Sequence, residues 1–396
     1  MKVLVLAPQP FYKNRGTPIA VRLLLRVLTG RAGTDVDLLT YHEGKSPELS
    51  SLEIYSASKP PGVDNIPPGF SWKKILADVL LFFQAFRLLQ ENDYDLIHAG
   101  EESVFFAMFF QWLYGIPYAY DMDSSIAQQL VEQKPYLEVL SGLFHWMERQ
   151  AIQQSLINFP VCNALADLCR QEDSRKTVTL HDISQLDDPK TADPERLRKE
   201  VDAEGLVFLY VGNLEPYQGI DLLLDSFQKA LMEDGSLHLV VIGGSSERID
   251  HYQSKASHLE IQENTRFLGP RPFEHLGDYL AGADVLVCPR VEGVNTPMKI
   301  FPYLHSGRPV LATDLRTHNQ ILTSEEALLA PADVEGLADG MITLAKDDSL
   351  RERLGQNGRA FVERNHTFEA HRDRVNRAYD WIEETLEEPT SGRRVE

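Results

Sequence analysis

Two short segments have the makings of an anion site. Gly16-Thr17-Pro18 follows the apolar run Lys2–Ala7, and Asn295-Thr296-Pro297 follows the run Val285–Pro289. A threonine oxygen accepts from the first free N–H groups of a helix, and proline suits the first helical position. Each segment therefore predicts a helix that starts at a strand end, where unpaired N–H groups and the helix dipole attract phosphate. Gly212-Asn213, Gln218-Gly219 and Gly243-Gly244 mark further turns at strand ends, with backbone open to a ligand or simply tightly turned. Charges flank these turns: Arg15 beside the first loop, Arg290 and Glu292 after the Val285–Pro289 run, and Lys299 one turn into the helix that follows.

Titratable groups supply a second set. His98 closes the run Leu96-Ile97-His98-Ala99 and reads either as a cleft-facing acid–base group or as a hydrogen-bonded structural histidine. Asp121-Met122-Asp123 spells a two-aspartate metal motif, but three such letters after a strand fit a capping or acceptor-side role better. Cys162, Cys169 and Cys288 have no ligand cluster around them, so no metal is expected and the thiols read as buried small residues.

These residues must be positioned by strands alternating with amphipathic helices, the pattern of parallel sheets with helical crossovers. Strands are expected over Lys2–Ala7, Val36–Tyr41, Leu96–Ala99 and Tyr118–Asp121, then over Leu206–Val211, Leu239–Ile242, Thr265–Leu268, Val285–Pro289 and Val310–Ala312. The polar, proline-bearing stretch from Leu186 to Glu204 predicts a linker. The expected fold is α/β, two doubly wound domains facing a central cleft: residues 1–185 with a returning helix over 366–386, and residues 200–365.

Composition narrows the partners. Hydrophobic residues make up 43% and charged residues 25% of the 396, the balance of a folded globular protein. Lys+Arg number 39 against Asp+Glu 59, a net charge of -20 that argues against nucleic acid. The 18 uncharged residues Ser103 to Tyr120 are broken by Gly115 and Pro117 and read as a buried helix and strand rather than a membrane span. With Pro8 and Pro10 ending the first apolar run, no export signal is expected and a cytoplasmic location follows.

The ordered series Gly16-Thr17-Pro18, Tyr210-Val211-Gly212-Asn213-Leu214, Gly219-Ile220-Asp221-Leu222-Leu223, Val241-Ile242-Gly243-Gly244, Arg266-Phe267-Leu268-Gly269, Asn295-Thr296-Pro297-Met298-Lys299-Ile300 and Ser306-Gly307-Arg308-Pro309-Val310-Leu311-Ala312-Thr313 resembles the family-four retaining glycosyltransferases of the GT-B fold. The resemblance implies a nucleotide-sugar donor on the second domain, an acceptor on the first, and neither metal nor other cofactor. It implies a donor site of Gly16, Thr17, Asn213, Gln218, Gly244, Asn295, Thr296 and Lys299, with Asp123 and His98 as catalytic candidates. Where this family carries an arginine and a lysine on the donor diphosphate, the chain has Asn213 and Gln218. The glutamate expected on the donor ribose falls at Pro302 and the preceding one at Val294, with Glu292 as a nearby substitute; a histidine near the sugar falls at Asp123.

Charge-assisted hydrogen bonds contribute about 1.5–3 kcal/mol each, so two absent cations remove roughly 3–6 kcal/mol unless Arg15, Arg290 or Lys299 replaces them. Two functions follow. One is glycosyl transfer to a carbohydrate, lipid-linked or small-molecule acceptor, with peripheral membrane contact through the aromatic stretches Trp72–Gln90 and Phe105–Trp112. The other is a catalytically impaired homologue that serves as a binding or scaffolding subunit beside a partner transferase.

Overall fold

The computed structural model describes residues 1–9, 16–44, 49, 52–59, 63, 66, 71–133, 135–186 and 189–388. Arg15 lies outside the described residues. The chain divides into two compact units: residues 1–181 together with the chain from His371 onward, and residues 182–370.

The first unit is built on six strands, β1 (Lys2–Ala7), β2 (Asp35–Thr40), β3 (Leu52–Ser56), β4 (Leu96–Gly100), β5 (Tyr118–Met122) and β6 (Ile157–Pro160). All pair in parallel, in the order β3-β2-β1-β4-β5-β6. The second unit repeats the architecture with β7 (Val207–Val211), β8 (His238–Ile242), β9 (Thr265–Gly269), β10 (Val285–Cys288), β11 (Val310–Thr313) and β12 (Leu328–Ala330), ordered β12-β11-β10-β7-β8-β9 and again parallel. Central strands such as β1 and β10 are buried on both faces, which is why they read as unbroken apolar runs. Strand order reverses between β1 and β4 in one sheet and between β7 and β10 in the other. Crevices at the carboxyl ends of such pairs are where doubly wound sheets bind ligands.

The Phe368–Glu387 helix packs within the first unit through Val375, Ala378, Tyr379 and Ile382. Arg31 holds it by ion pairs of 2.5 Å to both Asp380 and Glu383.

Two sequence expectations are corrected. The stretch read as a linker contains a helix, Glu195–Val201, whose Leu197 and Val201, one turn apart, enter the second unit's core beside Leu280 and Ala283. Its charged residues face outward and masked this apolar pair. The helix read as starting at Thr296-Pro297 runs only from Ile300 to His305, with Lys299 at its N-cap. Pro302 has no N–H to offer Met298, so the first α-type bond runs from Tyr303 to Lys299, and i→i+3 bonds to Pro297 and Met298 hold the turn before it. Lys299 therefore stands at the helix start, not one turn inside. At the other site, the helix runs Gly16–Leu28 and Thr17 lies within its first turn, its hydroxyl donating to Glu101 at 3.1 Å rather than capping.

Leu197→Ala is expected to destabilise the second unit by about 2–5 kcal/mol in chemical denaturation, the cost of a fully buried leucine. A tether residue would leave that transition unmoved.

Candidate functional site

The ends of β7 and β10 bring together a set of hydrogen-bonded polar groups. After β7 the chain turns at Gly212 and Asn213, passes the 3-10 turn Pro216–Gln218 and starts the Ile220–Glu233 helix from Gly219. Gly219 has φ +74, and a Cβ there would stand 1.9 Å from the Pro289 carbonyl oxygen, so only glycine allows this loop to touch the end of β10. Val291 N–H donates to the Tyr217 carbonyl at 3.1 Å and fastens the two loops together.

Lys299 reaches into this corner. Its ammonium donates to Tyr210 Oη at 2.8 Å and to Gln218 Oε1 at 3.0 Å, and lies 4.0 Å from the centre of the Tyr210 ring. Gly212 leaves the room: a Cβ there would fall 2.4 Å from Lys299 Nζ. Among the described residues no carboxylate pairs with this ammonium. Withdrawal from water holds it below the ordinary 10.5, at about 8; Cys288 opposes the shift and Arg290 adds to it. Tyr210 passes its own hydrogen to the Asn213 carbonyl at 2.6 Å, and Asn213 Nδ2 donates to Tyr217 Oη at 3.3 Å. Arg290 lies over the Tyr217 ring at 5.2 Å, its Nε donating to the Glu292 carbonyl at 2.7 Å. Thr296 is buried, yet its hydroxyl has no hydrogen-bond partner, an uncommon state that a ligand oxygen would relieve.

Lys299, Gln218, Asn213 and Arg290 are thus gathered at one crevice, two cations among neutral donors. Asn295 and Thr296 lie on the loop that leads to Lys299. Gly244, with φ +87, belongs to the neighbouring turn after β8. The Glu292 side chain is exposed, and its carbonyl rather than its carboxylate meets Arg290.

The first unit has the opposite character at its own switch point. Glu101 and Glu102 follow β4 directly, Glu101 with a left-handed backbone at φ 47 that a glutamate seldom adopts. Lys74 donates to Glu102 and, at 3.0 Å, to the Pro8 carbonyl at the end of β1. Tyr41 donates to Asp78. Burial first and then repulsion from Glu102, with Lys74 opposing, push Asp78 and Glu101 each up to about 7.

The catalytic candidate His98 lies in the interior of the first unit. It is 1% exposed and stacked on Phe159 and Tyr379, with Nδ1 2.8 Å from Tyr379 Oη and Nε2 3.4 Å from Asp121. Its strand position faces the Phe368–Glu387 helix, so it anchors that helix. Asp123 stands on the bend after β5, partly buried. Sequence reading passed over Glu101 and Glu102, although two acids directly after a strand are a visible signal; Tyr210 and Tyr217 gave none.

Comparison with known proteins bears on the fold and on the kind of protein the chain resembles. Residues 193–361 match the family model described as glycosyl transferases group 1. Over 97% of the chain the structure superposes on sucrose-phosphate synthase from Thermosynechococcus elongatus, covering 99% of that chain, with a TM-score of 0.78 at 19% identity. The fold is GT-B. WaaG, a glycosyltransferase involved in lipopolysaccharide biosynthesis, superposes with a TM-score of 0.67 at 16% identity, covering 98% of this chain and 100% of that one. Among curated relatives, the phosphatidyl-myo-inositol mannosyltransferase of Mycobacterium leprae is 27% identical over 195 residues, 48% of this chain and 49% of that protein. The D-inositol 3-phosphate glycosyltransferase of Corynebacterium efficiens is 29% identical over 172 residues, 41% of this chain and 40% of that protein. The chain thus spans about half the length or less of these relatives, which are glycosyltransferases.

Lys299 sets a pH test with two signs. The unfolded chain keeps this proton up to pH 10.5 and the folded protein only to about 8, so Lys299 makes the free protein more stable as pH rises between those values. Affinity for a phosphate ligand at the site falls over the same interval. Both trends are expected to vanish in Lys299→Met, as read by denaturation and by pyrophosphate titration across pH.

Proposed function

We propose that the protein transfers a glycosyl group from a nucleotide sugar, whose diphosphate lies at the β7–β10 crevice of the second unit. The observation that carries this reading is Lys299. Its ammonium sits beside Gln218 and near Asn213, at the positions where the resembling family places its diphosphate cations, so the missing charge arrives from another element. When the bond from the sugar C1 to the phosphate oxygen breaks, negative charge grows on the leaving diphosphate, and a preoriented cation stabilises it there. Lys299 supplies that charge, Arg290 adds to it, and the Thr296 hydroxyl and the Gly212 backbone line the approach. The acceptor hydroxyl attacks C1, and its proton ends on the departing phosphate. This reading is metal-independent and retains the anomeric configuration.

The first unit fits the acceptor. Carboxylates at its β1–β4 crevice are acceptors for sugar hydroxyls, and the helices Trp72–Glu91, Ser103–Tyr114 and Ser141–Gln154 expose a set of large apolar side chains. Trp112 is 79% exposed, Trp72 65%, Phe83 62% and Trp146 58%. No described helix is long and apolar enough to cross a membrane. A lipid-linked acceptor held at a membrane surface accounts for indole rings in water, because such rings settle where apolar and aqueous phases meet.

Thermal unfolding with UDP, GDP, ADP, CMP and their sugar conjugates tests the donor. One nucleotide is expected to stabilise by about 2.7 kcal/mol at a hundred times its dissociation constant, with at least tenfold weaker binding in Lys299→Met. No shift with any of them would favour the impaired, scaffolding reading. Co-sedimentation with neutral lipid vesicles tests the apolar face: the wild type is expected to bind and the double variant Trp112→Glu, Trp146→Glu to stay in solution. Equal behaviour of the two would remove the membrane from the account.

A further inference from the structure

The last residue of β10, Cys288, and His318 of the short Arg316–Asn319 helix are both fully buried, and His318 Nε2 lies 3.3 Å from the sulfur. The hydrogen on this imidazole can be placed. Nδ1 is 2.8 Å from the Thr313 carbonyl, which only accepts, so Nδ1 carries the hydrogen and Nε2 turns its lone pair to the thiol. Thr313 Oγ1, 3.2 Å from Nδ1, donates its own hydrogen to the Arg290 carbonyl at 2.5 Å and cannot compete. The groups acting on the sulfur are His318, Lys299 and Arg290; the hydroxyls of Tyr210 and Tyr303 also feel it, and no carboxylate is among its main influences. Lys299, paired with no carboxylate among the described residues, is in turn drawn toward its charged form by Cys288.

We propose that Cys288 rests as a thiolate whose proton is carried by His318 Nε2. The step moves one proton from Sγ to Nε2 and leaves the net charge of the pair unchanged. Burial alone raises a thiol, but here the imidazole and the two cations outweigh it and hold Cys288 below the ordinary 9.0. Cys169, raised by burial and by the nearby Glu148 more than Arg170 lowers it, goes the other way, to about 12.

Thiolate ultraviolet absorbance, followed from mildly acidic to alkaline pH in the full-length protein without ligand, tests the pair. One thiolate is expected at neutral pH in the wild type, missing in Cys288→Ala, and displaced upward by about one pH unit or more in His318→Gln, a variant that keeps a polar group should the alanine variant not fold. Superposable curves for wild type and Cys288→Ala at neutral pH would overturn the proposal.

Discussion

A partly desolvated ammonium without a carboxylate is the constraint on which the second unit's crevice depends. Lowering an ammonium from 10.5 to about 8 corresponds to about 3 kcal/mol against its charged form. Folded proteins seldom keep such a group unless it is paired or used. Here neutral oxygens from Tyr210 and Gln218 hold it, and Gly212 is the residue that leaves it space. Gly219, pressed against the end of β10, brings Gln218 within reach. An arriving phosphate would provide at the ammonium itself the opposite charge that no described carboxylate supplies.

The two switch points differ in sign, and the difference follows from which residues each strand end carries. Between β1 and β4, Lys74 is shared among Asp78, Glu101 and Glu102, so carboxylates outnumber the cation and two of them hold protons near neutrality. Between β7 and β10, Lys299 and Arg290 meet amides and hydroxyls. A diphosphate is repelled by the first environment and attracted by the second, while neutral sugar hydroxyls are well served by carboxylate acceptors. One architecture, used twice, thus offers two different chemistries.

Much of the scaffold was legible because parallel strands buried on both faces must be apolar throughout, as β1, β7 and β10 are. The strands that escaped notice are those under weaker constraint: β3 is half-exposed, β12 has three residues, and β6 ends in Pro160. The Glu195–Val201 helix was hidden by its charges, and the start of the Ile300–His305 helix by the familiar look of Thr-Pro, although Pro302 already ruled out the earlier start. Lys299 and Arg290 could be named as candidate cations from their places near strand ends. Their partners could not, since Tyr210, Gln218, Cys288 and His318 meet only when four separated segments fold together. For His98 the place on β4 could be read, but not Tyr379 of the helix from Phe368, which stacks on it.

The most direct test of the central claim is phosphorus NMR of the nucleoside diphosphate that binds, observed in complex with the full-length protein across pH. The account predicts that the terminal phosphate resonance of the bound ligand is displaced from its free position, titrates in the alkaline range as Lys299 loses its proton, and loses that displacement in Lys299→Met. A bound resonance that is the same in wild type and variant at every pH would contradict it, because the phosphate would then lie away from Lys299.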